Sequence, residues 1–317
     1  MKFSYKYLVY LSFVFLIVAL HNADYLRVPQ IFSAPILLVS FIFLFAGFII
    51  NSVYWKEILQ KTNCRVSLSE CVAGIGLSIF GKYIPGKIWT IVGPAAYVAK
   101  KSQYSLGKLS AISLCAQFIT LWIGLIFGSI GLFLLGGLRI WGWLILFLWL
   151  GLTVVIFSKL VHGSAERLIR TVLRKDIQLP RLTIKSTLSL MPWFVIYWVV
   201  LSIGFYMLVV SLTEREVPWS VGLGFSLAGT LGTMALITPG GLGTREGVMV
   251  GYLILAGIPV PEATTIAVAS RLWFLLGEVF IFTAGWVSDR MSHSALHQTG
   301  CEPGASVKHL SGEGGET

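Results

Sequence analysis

The chain has 317 residues, of which 56% are hydrophobic and only 12% charged. A soluble domain carries about a quarter charged residues, so the composition excludes an ordinary soluble enzyme or binding module and reads as an integral membrane protein. The formal net charge of +10 lies between apolar runs, which fits cytoplasmic loops better than a nucleic-acid groove.

In chain order, Lys2 and Lys6 precede an apolar run without a small-residue cleavage site before His21. It reads as an uncleaved first span over about 7–25. A second span follows over about 31–50, with Tyr54 and Trp55 at an interface and Lys56, Lys61 and Arg65 in a basic loop. Ser67-Leu68-Ser69-Glu70 is a capping-box pattern that opens a short helix. That helix stops at Gly81-Lys82-Tyr83-Ile84-Pro85-Gly86-Lys87-Ile88-Trp89, and another short apolar stretch runs to Lys100-Lys101. Each piece is shorter than the roughly 20 residues of a span and both flanks are basic, which predicts a hairpin dipping in from the cytoplasm.

Spans are predicted over about 109–135 and 140–157, joined by a Gly-rich turn with Trp141 and Trp143 at the outer interface. Residues 159–185 form the most basic loop and set the cytoplasmic side; the 165–173 part has the pattern of an amphipathic surface helix. A span over about 187–212 leads out to Thr213-Glu214-Arg215-Glu216. Apolar sequence then breaks at Thr238-Pro239-Gly240-Gly241-Leu242-Gly243-Thr244-Arg245-Glu246-Gly247, and a last span covers about 263–287. From about residue 291 a polar Gly/Ser/Glu-bearing tail has the composition of disorder.

Alone, the second break reads equally as a surface loop. The matching Pro85-Gly86 break decides otherwise. Residues 1–136 and 137–290 each carry two spans, a Pro-Gly hairpin and a closing span, so an odd number of crossings inverts the second half. The fold expected is an all-α polytopic bundle, an inverted repeat of about six spans with two re-entrant broken hairpins, both Pro-Gly breaks near mid-membrane. Interrupted segments at matching positions of two halves point to a transport site, and backbone broken there must line a wet cavity or be buried in protein.

The chemistry-bearing residues gather at these breaks. Gly81-x-x-x-x-Gly86-Lys87 nearly spells a nucleotide P-loop, but Ile88 replaces the hydroxyl that would hold Mg²⁺ and no strand precedes it. ATP is rejected; a glycine-opened helix start with lysines still suits a phosphate. His293, His297 and Cys301 have helical spacing but fall in the polar tail, so no metal site is assigned, and Cys64, Cys71 and Cys115 read as packing residues. Arg271 and Glu278 share one face of the last helix and either lock the bundle, paired with each other or with residues of the hairpins, or turn Arg271 to the cavity beside Arg245. Glu246 either neutralises Arg245 or caps its helix.

Lys82-Tyr83-Ile84-Pro85-Gly86-Lys87-Ile88-Trp89 and Thr238 to Gly247, followed by Ser270-Arg271-Leu272, resemble the lysylphosphatidylglycerol synthase/flippase transmembrane family, which includes the membrane half of the multiple peptide resistance factor. Thr244 departs from that pattern, where Val is expected. The resemblance reaches to about residue 287 and implies an inner-membrane protein that moves or handles lipids. Aminoacyl transfer in that family belongs to a separate soluble domain, so no enzyme activity is expected here.

The function expected is translocation of an anionic phospholipid or a polyprenyl-phosphate-linked glycolipid, passive or ion-coupled, with no cofactor. The substrate-binding candidates are Lys82, Tyr83, Pro85, Gly86, Lys87, Pro239, Gly240, Gly241, Arg245, Glu246, Arg271 and Glu278. Two rivals remain: an ion-coupled solute transporter with Glu246 and Glu278 as coupling carboxylates, and an accessory protein or transferase of glycolipid assembly. The partners expected are membrane lipids and envelope-biosynthesis enzymes, not nucleic acid. The localisation expected is the bacterial inner membrane, with both termini cytoplasmic.

Overall fold

The computed structural model describes residues 30–84, 88–136, 141–158, 184–235, 241 and 243–298. The first predicted span, most of the basic 159–185 loop and the tail beyond residue 298 lie outside these residues, as do Pro85, Gly86, Lys87, Pro239 and Gly240.

The described chain is all-α. In order, the helices are α1 (Ala34–Lys61), α2 (Leu68–Ser78), α3 (Trp89–Lys101), α4 (Leu106–Leu134), α5 (Trp141–Phe157), α6 (Ile184–Leu212), α7 (Gly224–Met234), α8 (Thr244–Leu255) and α9 (Val260–Gln298). Short 3-10 turns at Ile79–Tyr83 and Trp219–Leu223 follow α2 and precede α7. Four helices, in α1, α4, α6 and α9, are long and apolar enough to cross a bilayer, and α5 is a shorter apolar helix. By contrast α2, α3, α7 and α8 have 11, 13, 11 and 12 residues. At 1.5 Å per residue each reaches only about 16–20 Å, short of a hydrocarbon core of about 30 Å.

These short helices form two hairpins, α2 on α3 and α7 on α8. Ser67 caps α2 as its sequence predicts: its hydroxyl accepts from the Glu70 amide, and the Glu70 carboxylate accepts from the Ser67 amide at 2.8 Å. Helix packing follows an exchange rule. α1 lies along α6; α2 packs on α9 while α7 packs on α4; α3 meets α4 while α8 meets α9. Swapping α1 with α6, α2 with α7, α3 with α8 and α4 with α9 leaves this set of contacts unchanged. The Phe32 amide donates to the Ser211 carbonyl at 2.9 Å, so the start of α1 meets the end of α6 and the two run antiparallel.

Apolar side chains cover the outside as well as the core. Leu38 and Ile42 on α1, Phe133 on α4 and Phe147 on α5 are exposed, which suits a surface solvated by lipid chains rather than water. Two ion pairs sit at the ends. Lys101 pairs with Asp289 at 2.6 Å near the C-terminal ends of α3 and α9, and Arg215 with Glu262 at 3.2 Å between the α6 loop and the start of α9.

Three details differ from the sequence reading. α1 continues to Lys61, which carries Tyr54 and Trp55 into the core, where Trp55 Nε1 donates to Ser113 Oγ at 3.0 Å. These aromatics pack between helices instead of marking an interface. α9 is helical to Gln298, past the boundary that composition places at residue 291. Helical structure also runs on past Gly81, where the sequence reading stops it: a 3-10 turn over Ile79–Tyr83 follows α2 and carries Lys82 and Tyr83.

α2 and α9 approach through glycines. A Cβ at Gly76 would fall onto the Ile281 carbonyl oxygen and lie 3.0 Å from Gly285 Cα. Backbone cannot rotate away as a side chain can, so Gly76→Ala is expected to cost about 1–3 kcal/mol by overpacking. Gly251→Ala, with nothing within 4 Å of its added Cβ, is expected to be neutral or stabilising by up to about 1 kcal/mol. Thermal unfolding of both purified variants checks this; equal midpoints would mean that α2 and α9 are not in such close contact.

Candidate functional site

Described residues flanking the two chain breaks meet in one buried cluster. The turn after α2 delivers Lys82 and Tyr83, the first turn of α8 delivers Arg245 and Glu246, and α9 delivers Arg271, Phe274 and Glu278. Glu278 is 1% exposed. It forms an ion pair with Lys82 Nζ and accepts a hydrogen bond from Tyr83 Oη at 2.9 Å. Its carboxylate thus ties the first hairpin to α9.

Glu246 performs the capping role open to it. The Gly243 amide donates to its Oε2 at 2.8 Å, closing the start of α8, where a carboxylate also meets the positive end of the helix dipole. Gly243 has φ +79°, in the left-handed region where a side chain is disfavoured. The other Glu246 oxygen, Oε1, lies 4.0 Å from Arg271 Nη1. Arg271 is 4% exposed and its guanidinium sits 5.5 Å from the Tyr83 ring centre. Arg271 and Glu278 therefore face separate partners, Glu246 and Lys82.

Arg245 stands apart. It is 7% exposed, and its Nε and Nη2 have no hydrogen-bond partner among the described residues. Its guanidinium rests 4.7 Å from the Phe225 ring centre and 4.5 Å from that of Phe274. Phe274 also lies 4.7 Å from Lys82 Nζ, so one ring separates two cations. Ring faces attract cations by about 0.5–2 kcal/mol, far less than the cost of burying an unpaired charge. Lys82, Arg245 and Arg271 face Glu246 and Glu278. Among the described residues, three cations against two carboxylates leave one positive charge in excess, and Arg245, the one of the three without an ion pair to either carboxylate, is the least compensated.

Arg245 and Lys82 line a cavity of about 540 Å³ bounded by both hairpins and the long helices, whereas Arg271, Glu246 and Glu278 are not among its lining residues. The described part of the second break adds Gly241 with φ +76°, where a Cβ would lie 2.8 Å from the Gly232 carbonyl oxygen.

A family described as the lysylphosphatidylglycerol synthase TM region matches residues 5–279. The chain belongs to this family. Both hairpins and most of α9, with every residue of the buried cluster, fall inside the region shared with the lysylphosphatidylglycerol synthase TM family. No curated protein and no solved structure matches the chain.

Several residues of the cavity are absent from the sequence-derived set. Phe225 and Phe274 cannot be told from other aromatics of apolar helices before folding. Asn51 and Gln117 did leave a signal: each is an amide inside a long apolar helix, α1 or α4, and both line the cavity.

Proposed function

We propose that the chain is a lipid translocase of the flippase type. An anionic lipid, a phospholipid or a polyprenyl-phosphate-linked glycolipid, enters the cavity by its headgroup while its tails stay in the bilayer. The observation that carries this reading is Arg245, a buried guanidinium with unbonded nitrogens at the edge of a cavity that also holds Lys82. A phosphate oxyanion supplies what that group lacks: charge, and acceptors for two parallel N–H bonds. Movement is passive or ion-coupled, since no nucleotide motif serves it.

The solute-transporter rival needs a free coupling carboxylate. Glu278 holds Lys82 and Tyr83, and Glu246 caps α8 through one oxygen with the other 4.0 Å from Arg271, so each carboxylate already faces a cation and neither lines the cavity. Two inverted halves provide the alternating access such a mechanism requires, and the exchange rule among helix contacts supports that arrangement. Reconstituted protein should accelerate exchange of chain-labelled anionic lipid between vesicle leaflets; exchange no faster than in protein-free vesicles defeats the reading.

The orientation follows from charge. Lys61, Arg65 and Lys101 belong to the cytoplasmic end of a bacterial inner-membrane protein, and Arg215 to the outer end. In a cysteine-free background, Arg215→Cys should react with an impermeant maleimide on intact cells and Lys61→Cys only after permeabilisation. The reverse pattern overturns the orientation.

A further inference from the structure

The cavity also carries neutral polar groups. Asn51, Ser113, Gln117, Thr120, Tyr197 and Thr230 contribute to its lining, and among the described lining residues there is no Asp or Glu. Beside Lys82 and Arg245, the lining therefore offers uncharged amides and hydroxyls.

Most of these groups are held in place. Asn51 is hydrogen-bonded to Tyr197. Ser113 Oγ donates to the Leu109 carbonyl at 3.0 Å while accepting from Trp55, and Thr120 Oγ1 donates to the Ala116 carbonyl at 2.9 Å. Two are unused. Thr230 Oγ1 is buried without a partner, and Gln117 makes no hydrogen bond to any described residue. An amide offers two donors and an acceptor, and a hydroxyl offers both functions, so these groups can satisfy a ligand hydroxyl in either sense. Tyr54, Trp55 and Trp198 add ring surface to the same wall, suited to the C–H faces of a polyol.

An amine is treated differently. A protonated amine taken from water requires a carboxylate, and none is present in the described lining. Lys82 and Arg245 repel it as well. We propose that this cavity selects a lipid that is anionic at its phosphate and otherwise carries an uncharged, hydroxyl-bearing headgroup, and that it rejects headgroups bearing an amine. This inference rests on the reading of the site as a lipid-phosphate site, and it narrows the substrate class.

Equilibrium binding to the purified full chain tests it. The probes are dihexanoylphosphatidylglycerol, its lysyl ester, dihexanoylphosphatidylethanolamine and free glycerol phosphate. The glycerol lipid is expected to bind at least about tenfold tighter than either amine-bearing lipid, since unpaired polar groups are rejected strongly. Gln117→Glu, which supplies the missing carboxylate, is expected to narrow that ratio about tenfold.

Equal affinity for amine-bearing lipids, or no binding of the glycerol lipid, overturns the proposal. A ratio unchanged in folded Gln117→Glu overturns the assignment of selectivity to these neutral lining groups. Glycerol phosphate binding as tightly as the lipid makes a soluble phosphate the occupant and overturns the lipid. Leaflet exchange is scored separately: discrimination in binding without exchange defeats translocation and leaves the selectivity standing.

Discussion

Arg245→Ala is expected to weaken binding of an anionic lipid by about 2–5 kcal/mol, the range for removing one partner of a desolvated charge pair. Its second consequence separates a ligand clamp from a structural residue. Nε and Nη2 of Arg245 have no hydrogen-bond partner among the described residues. Truncation forfeits the contacts with Phe225 and Phe274, about 0.5–2 kcal/mol each, but it also relieves a buried uncompensated charge. The two effects oppose, so the lipid-free melting temperature should shift little or rise. Wild type should be stabilised by added lipid in proportion to occupancy, and Arg245→Ala should not. Arg245→Lys should recover only part of the binding, because one ammonium replaces a planar fork. Normal lipid binding by Arg245→Ala would remove the phosphate clamp from the mechanism.

Much of the architecture was legible because the bilayer imposes a strict rule on sequence. A helix either reaches across or does not, and the short apolar runs on both sides of Pro85-Gly86 and Pro239-Gly240 do not. The capping box at Ser67 and Glu70 is local chemistry and could be placed without the fold. Partner choice was not legible. The spacing of Arg271 and Glu278 puts them on one face of α9, but only the packed bundle shows that Glu278 meets Lys82 and Tyr83 while Arg271 lies by Glu246. Tyr54 and Trp55 misled for a related reason. Aromatics beside lysines resemble an interface belt, and nothing local reveals that α1 runs on beneath them to Lys61. Phe274 shows the limit most plainly, since its placement between two cations depends on three segments distant in sequence.

The ion pair at Glu278 is expected to be the most costly single point in the cluster to break. Glu278→Ala strands the Lys82 ammonium and leaves the Tyr83 hydroxyl without its acceptor. Removing one member of a buried pair costs about 3–5 kcal/mol, mostly from the charge left behind. Replacing both partners by neutral groups of similar shape is often nearly neutral, so Lys82→Met with Glu278→Gln should unfold at a higher denaturant concentration than Glu278→Ala. In a cycle built from Lys82→Met, Glu278→Gln and their combination, the coupling should reach about 0.5–3 kcal/mol. The double variant also tests the charge assignment. Lys82 and Glu278 cancel, so their joint removal leaves Arg245 and Arg271 against Glu246, the same single positive surplus. Lipid binding should then survive within about fivefold, less than the roughly tenfold that 1.4 kcal/mol represents, whereas Arg245→Ala should weaken it by about 2–5 kcal/mol. Additive stabilities would show that Lys82 and Glu278 are not a coupled pair. Binding lost in a folded double variant would move the phosphate contact from Arg245 to Lys82.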